Sequence, residues 1–270
     1  MSSMNDANGL AVERVIDLMA RLRAPDGCPW DREQTPASLK PQMLEECYEM
    51  LEAIDSGSAP HLVEELGDML LHLVFQAQIA REAGGFTFAD IADTLAEKLV
   101  RRHPHVFGER KVGNSTETIA LWNELKKAEK PERQSVLDGV PRSLPALMRA
   151  EALQKKAKSA GFDWPNAAGA LAKVREEIEE VQAELARNGG QADSELAAEF
   201  GDLLFALVNL TRHFKLQAEE LLTAANDKFA RRFRAVEEQF KAAGKSMKDA
   251  SLEELDAEWE RVKAREPGSD

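Results

Sequence analysis

The residues best suited to chemistry are acidic and spaced by helical turns. Glu176, Glu177, Glu179 and Glu180 fall in one run, and Glu199 and Asp202 in the next. On a helix, residues three or four apart share a face. Glu177 and Glu180 therefore point one way, Glu176 stands one turn before Glu180, and Glu199 and Asp202 form a matching pair. Like charges at that spacing cost roughly 0.2–0.5 kcal/mol per pair in an isolated helix. Asp202 also adjoins the apolar run Leu203 to Val208, where an unpaired carboxylate is costly. A cation should neutralise the cluster. Carboxylate oxygens without His or Cys partners suit a hard ion, Mg²⁺, with Mn²⁺ as the alternative.

One such cluster in a chain with 48 acidic residues of 270 reads as a solvated helix face. What changes that reading is recurrence. Glu46, Glu49, Glu65 and Asp68 repeat the pattern upstream, and each acidic set is followed by Lys-x-x-Arg-Arg: Lys98, Arg101 and Arg102, then Lys228, Arg231 and Arg232. The bland account of the basic residues is charge pairing on a surface helix. The functional account is that cations facing a carboxylate-held metal are what a polyphosphate requires, with Arg giving forked contacts and Lys a point charge. Asn209, seven residues after Asp202, shares its helix face, as a ligand group or as a hydrogen-bonded core amide. Trp259 reads as core packing before base stacking. A di-iron carboxylate bundle needs Glu-x-x-His steps. Three residues after Glu49, Glu65, Glu180 and Glu199 stand Glu52, Asp68, Ala183 and Asp202, so that step is missing. There is no Gly-rich phosphate loop.

The elements that must carry these residues are helices. Only one Tyr, few Gly and no sustained apolar alternation argue for an all-α fold. A first amphipathic helix is expected over about Leu10 to Arg23. After the loop Cys28 to Asp31, Thr35-Pro36 reads as the cap and first position of a helix reaching about Ile54. A helix bearing Glu65 and Asp68 stops at Gly84-Gly85, and Asp90 reads as the cap of the next, which His103-Pro104 breaks. A helix over about Thr116 to Lys130 lies in a connector. The pattern then restarts at Leu144, with an acidic helix to Arg187 and a last helix over about Ser251 to Lys263. Trp30 to Trp164 is an offset of 134, Glu46 to Glu177 of 131, Asp68 to Asp202 of 134 and Lys98 to Lys228 of 130. Four landmarks in one order at near-constant offset indicate a duplicated helical unit. The expected divisions are a first repeat over 1–110, a connector over 111–143 and a second, main catalytic repeat over 144–270.

A net charge of −13 argues against a nucleic-acid surface, which needs clustered Lys and Arg. Two cysteines, Cys28 and Cys47, are too few for a disulfide framework, and Cys47 is expected to be a small buried residue. His72, His103, His105 and His213 fit no metal spacing. The apolar runs are too short to span a membrane, so a reducing cytoplasm is the expected setting. Leu66, Met69, Leu70, Leu71, Leu73, Val74 and Phe75, like Leu203 to Leu210, surround most of their helices with apolar side chains, which predicts a homodimer.

Taken together, Cys28-Pro29-Trp30-Asp31, Leu44 to Glu49, Glu65-Leu66-Gly67-Asp68, Gly161-Phe162-Asp163-Trp164, Glu199 to Phe205 and Lys228 to Phe233 resemble the all-α nucleoside triphosphate pyrophosphohydrolases, and among them the two-repeat MazG family. The resemblance covers nearly the whole chain. It implies two tandem four-helix-type repeats in a helical dimer, and Mg²⁺-dependent hydrolysis of a nucleoside triphosphate to the monophosphate and pyrophosphate. It further implies that Glu177, Glu180, Glu199 and Asp202 hold the metal. Lys173, Glu176, Lys228, Arg231 and Arg232 would line the triphosphate, Trp259 the nucleotide, and Glu176 would take the proton of the attacking water. Glu46, Glu49, Glu65 and Asp68 form a second, weaker site. A non-catalytic nucleotide sensor and a scaffold that binds a protein partner remain alternatives. The second repeat should carry most of the turnover, because Gln42 stands for Lys173, Phe75 for Asn209, and His103-Pro104 cuts the first basic helix.

Overall fold

The computed structural model describes residues 2–129 and 134–265, and among these there are helices and turns but no strand. Contacts divide the chain into two compact units, Met1–Pro131 and Glu132–Asp270. The expected connector is thus shared between the units.

The first unit runs α1 (Ser2–Leu22), α2 (Pro29–Glu33), α3 (Lys40–Ser56), α4 (Ala59–Glu82), α5 (Phe88–Arg102), α6 (Pro104–Phe107) and α7 (Ser115–Ala128). Local chemistry sets these boundaries and corrects several expected ones. Thr35 does not cap α3. Its hydroxyl accepts from the Ser38 amide at 3.1 Å while the Ser38 hydroxyl accepts from the Thr35 amide at 2.9 Å, closing a turn, and α3 starts at Lys40 with Pro41 in its first turn. Pro29, expected in a loop, opens the short α2, where its missing N–H costs nothing. The cap of α5 is Thr87, and Asp90 is its reciprocal partner: the Thr87 hydroxyl accepts from the Asp90 amide and the Asp90 carboxylate accepts from the Thr87 amide. α1 begins at Ser2, well before Leu10. The expected end of α7 at Lys130 lies outside the described residues. Gly27 is obligatory, since a Cβ there would come within 2.1 Å of the Leu22 carbonyl oxygen.

α4 is the central element of this unit, packing on α1, α3 and α5. Met19, Leu39, Val74 and Phe75 form its buried centre, with Val15, Ile16, Leu70, Ile79 and Phe88 around it. Arg23 closes one end. Its guanidinium lies 5.4 Å from the Phe75 ring centroid and pairs with Glu82 at 2.7 Å. α7 packs on α5, where Glu129 meets Arg101 at 2.9 Å and Arg102 at 2.5 Å, and Trp122 stands edge-on to His103 at 4.9 Å. Cys47 is half-buried rather than buried, with its Sγ 3.7 Å from the Met69 sulfur.

The second unit runs α8 (Ala146–Ser159), α9 (Ala167–Arg187), α10 (Ser194–His213), α11 (Ala218–Ala242), a 3₁₀ turn at Met247–Asp249 and α12 (Leu252–Arg265). Asn166 caps α9 through the Ala168 amide, and Asp193 caps α10 through the Leu196 amide. Between them Gly189 and Gly190 take positive φ values of 65° and 79°, the backbone a tight return requires. α9 and α10 form a closely packed helical hairpin, α8 lies on α10 and α11, and α11 packs on α12. α8, α9, α10 and α11 follow one another as α1, α3, α4 and α5 do, so two four-helix repeats of one plan are present.

Candidate functional site

The hairpin α9–α10 brings Glu177, Glu199 and Asp202 together. One carboxylate oxygen of each lies within 4.8 Å of the others. Glu177 is the buried member, at 3% exposure. Its Oε1 accepts from the Lys173 ammonium at 2.6 Å, and Lys173 also donates to Glu176 at 2.8 Å. These pairings hold the Lys173 ammonium charged well above its ordinary range, the bond to Glu176 first and that to Glu177 second. The other oxygen, Glu177 Oε2, is buried and has no hydrogen-bond partner. An unsatisfied buried acceptor costs about 1–3 kcal/mol, and two further carboxylates beside it add repulsion. That donor set fits a hard divalent cation, with Glu177, Glu199 and Asp202 as ligands.

Glu180, the fourth expected ligand, lies outside the 4.8 Å group and is exposed on the next turn of α9. Its carboxyl is nonetheless pushed up, first by lost solvation, then by the Glu177 charge against the opposing effect of Lys173, with the Glu199 charge adding to the rise. It therefore belongs to the same electrostatic cluster.

The first unit repeats this arrangement with one difference. Glu46, Glu49 and Glu65 present oxygens within 4.8 Å of one another. Desolvation raises the Glu46 carboxyl, followed by the charges of Asp68, Glu49 and Glu65, so Asp68 is close by although outside the group. Here the buried member is Glu65. Its Oε1 lies 3.0 Å from His61 Nε2 and its Oε2 is unpartnered. Each unit thus has one buried glutamate with a cationic or polar clamp on one oxygen and an orphan on the other. The clamps are Lys173 and His61, at i and i+4 from their glutamates. Sequence reasoning placed Lys173 against phosphate and passed over His61, although the four-residue spacing was there to be read. Gln42, in the place of Lys173, leaves its side-chain oxygen buried and unpartnered.

The remaining expected site residues lie on α10, α11 and α12. Lys228 and Arg231 are exposed and Arg232 is half-buried on α11, which packs on α10. Asn209, half-buried on α10, has a buried Oδ1 with no partner. Trp259 packs on the cluster of Val236, Phe240 and Val262, with its ring 5.3 Å from that of Phe229. In the first unit the counterparts Arg101 and Arg102 are engaged by Glu129, whose carboxyl those two arginines lower to about 2. No helix among the described residues is long and apolar enough to cross a membrane.

Comparison with known proteins agrees with this architecture. The model of the MazG nucleotide pyrophosphohydrolase domain matches residues 34–107 and 167–236, one segment in each unit. The chain is 47% identical over 258 residues to a nucleoside triphosphate pyrophosphohydrolase of Escherichia coli, spanning 94% of this chain and 98% of that one. It is 43% identical over 256 residues to the nucleoside triphosphate pyrophosphohydrolase/pyrophosphatase MazG of Thermotoga maritima, spanning 94% and 96%. It is also 48% identical over 250 residues to YabN, an uncharacterized protein of Bacillus subtilis, spanning 92% of this chain and 51% of that protein. The two-segment match, the near-complete alignments and the paired α3–α4 and α9–α10 hairpins lead to one assignment: the chain belongs to the MazG nucleotide pyrophosphohydrolase family of hydrolases, with one copy of its domain in each unit.

Proposed function

We propose that this protein hydrolyses nucleoside triphosphates to the monophosphate and pyrophosphate, with Mg²⁺ as cofactor and the second unit as the main site. The observation that carries the reading is the Glu177–Glu199–Asp202 group, whose buried member Glu177 has an unpartnered Oε2. The names of the Escherichia coli and Thermotoga maritima relatives support the substrate class. Mg²⁺ at those three carboxylates, with Glu180 alongside, supplies charge for the phosphate oxygens and makes a neighbouring water more acidic.

The chain's own residues do the rest. Lys228, Arg231 and Arg232 on α11 bind and orient the triphosphate, Arg through forked hydrogen bonds and Lys as a mobile point charge. Lys173 fixes Glu177 through Oε1 and leaves its second oxygen without a hydrogen-bond donor. Glu176, exposed and within 2.8 Å of Lys173, takes the proton from the water that attacks the α-phosphorus. A new P–O bond forms there, the bond to the bridging oxygen breaks, and pyrophosphate leaves.

The protein acts as a homodimer in this reading. On α4 and α10 the side chains of Leu66, Leu71, Leu73, Phe200, Leu204 and Phe205 are all exposed within their own units. An apolar surface of that extent on two central helices calls for a partner. Cys28 and Cys47 are free thiols, which suits a reducing cytoplasm.

The test is a panel of ribo- and deoxynucleoside triphosphates with Mg²⁺, with pyrophosphate and orthophosphate measured separately. Pyrophosphate with the nucleoside monophosphate is expected. A nucleoside diphosphate and orthophosphate as the only products would refute the reading.

A further inference from the structure

The segment Gly161-Phe162-Asp163-Trp164 takes no part in the chemistry above, yet the structure anchors it firmly at the start of α9, the helix that carries Glu177. Asp163 is the anchor. Its side chain is 10% exposed and pairs with Arg212, 6% exposed, near the end of α10, with Lys158 at 3.5 Å and His213 at 3.7 Å. Charges buried this deeply fix the segment in one place, because moving it would strand one of them without its partner. The next residue, Trp164, is held out at 46% exposure.

Its ring is seated on α9. A Cβ added at Gly169 would meet Trp164 Cε3 at 2.8 Å, Cδ2 at 3.0 Å and Cγ at 3.3 Å, so the indole rests against bare backbone that any other residue would cover. Gly169 begins the stripe that continues through Lys173, Glu176, Glu177 and Glu180, at intervals of 4, 7, 8 and 11 residues. At 100° per residue these positions lie within about a quarter of the helix circumference. The rise of about 1.5 Å per residue puts Gly169 about 6 Å along the axis from Lys173 and about 12 Å from Glu177. That is the span of a nucleotide from base to metal-held phosphates. Trp259, by contrast, packs on Phe229 and the core.

Resting on the reading of the second unit as the nucleotide site, we propose that Trp164 forms the wall on which the substrate's base stacks. Gly169 provides the seat for the ring, and the Asp163–Arg212 pair holds it in register. A π-face accepts any base, so this wall adds affinity for nucleotides over bare polyphosphate more than it selects one base.

The experiment compares Trp164→Leu, Trp164→Phe and Gly169→Ala with the full-length wild type, after circular dichroism shows each folded. It measures KM and kcat for pyrophosphate release, inhibition by inorganic tripolyphosphate, and calorimetric binding of a nucleoside monophosphate. Gly169→Ala is the safeguard, since alanine favours the helix while displacing the ring. In Trp164→Leu and Gly169→Ala the KM should rise about tenfold, with monophosphate binding weakened to match. Tripolyphosphate inhibition and kcat should hold, and Trp164→Phe should recover most of the loss. Unchanged KM and monophosphate affinity in Trp164→Leu overturns the proposal, and so does an equal loss of tripolyphosphate inhibition. Absence of pyrophosphate release from the wild type would fault the hydrolase reading instead, and the monophosphate titration would still decide the role of Trp164.

Discussion

Neutralising one carboxylate of the α9–α10 cluster should stabilise the metal-free protein while destroying its activity, and Glu199→Gln is the sharpest case. Glu177 has Lys173 against it at 2.6 Å, so removing Glu177 would also break an ion pair. Glu199 is half-buried and within 4.8 Å of both Glu177 and Asp202. Two like charges at that separation repel by about 1 kcal/mol at the dielectric of water and about 3 kcal/mol at an effective constant of 20. Glutamine keeps the shape and removes the charge. For a unit of this size, each kcal/mol moves Tm by about 3 °C, so the variant should melt about 3–9 °C above the wild type in chelator. With Mg²⁺ the order should reverse. A cation present at a hundredfold its Kd stabilises by about 2.7 kcal/mol, and the variant should lose most of that gain. Scanning calorimetry of both proteins, with chelator and with saturating Mg²⁺, gives four melting temperatures. A variant that melts below the wild type in chelator, or that gains as much from Mg²⁺, would falsify the claim that the cluster is a strained cation site.

Three further outcomes follow from the same geometry. Glu180→Ala or Asp202→Ala should cut pyrophosphate release at least a hundredfold, whereas Glu49→Ala or Asp68→Ala should leave it within about threefold, because misplaced phosphate contacts alone cost such factors; equal losses from the two units would reverse the assignment. Acidification should also weaken the Mg²⁺ effect: Glu46 and Glu180 bind protons more tightly folded than unfolded, so the metal-free state gains from these groups as pH falls toward 4.5 while protons compete with the ion. The Mg²⁺-induced rise in Tm should therefore shrink between neutrality and pH 4.5, and a constant rise would contradict it. Glu129 has the opposite sign, its arginine pairing stabilising fully above 4.5 and being lost as pH falls toward 2. Finally, light scattering at micromolar concentration should give a dimer mass, and charged substitutions at Leu204 and Phe205 should shift it toward monomer; a monomeric wild type would refute the pairing.

Much of the plan was legible in the sequence, because helical periodicity acts over three or four residues and needs no distant partner. The all-α class followed from composition and the absence of apolar alternation, and the duplication and the two acidic hairpins from spacing. Helix starts were less legible. Thr35 and Asp90 both read as caps, yet at Thr35 a side-chain exchange with Ser38 closed a turn ahead of Pro41, while the same chemistry between Thr87 and Asp90 opened α5 with Thr87 as the cap. What only tertiary structure decided is the state of each carboxylate. Glu176, Glu177, Glu179 and Glu180 are adjacent and alike in sequence, but packing of α9 against α10 buries Glu177 alone, and desolvation depends on what lies across the hairpin rather than along the chain. The engagement of Arg101 and Arg102 by Glu129, 27 or 28 residues away, has that same origin, whereas the clamps of Lys173 on Glu177 and His61 on Glu65 follow the four-residue helical spacing. The sequence supplies charges at helical intervals, and folding determines which of them lose water.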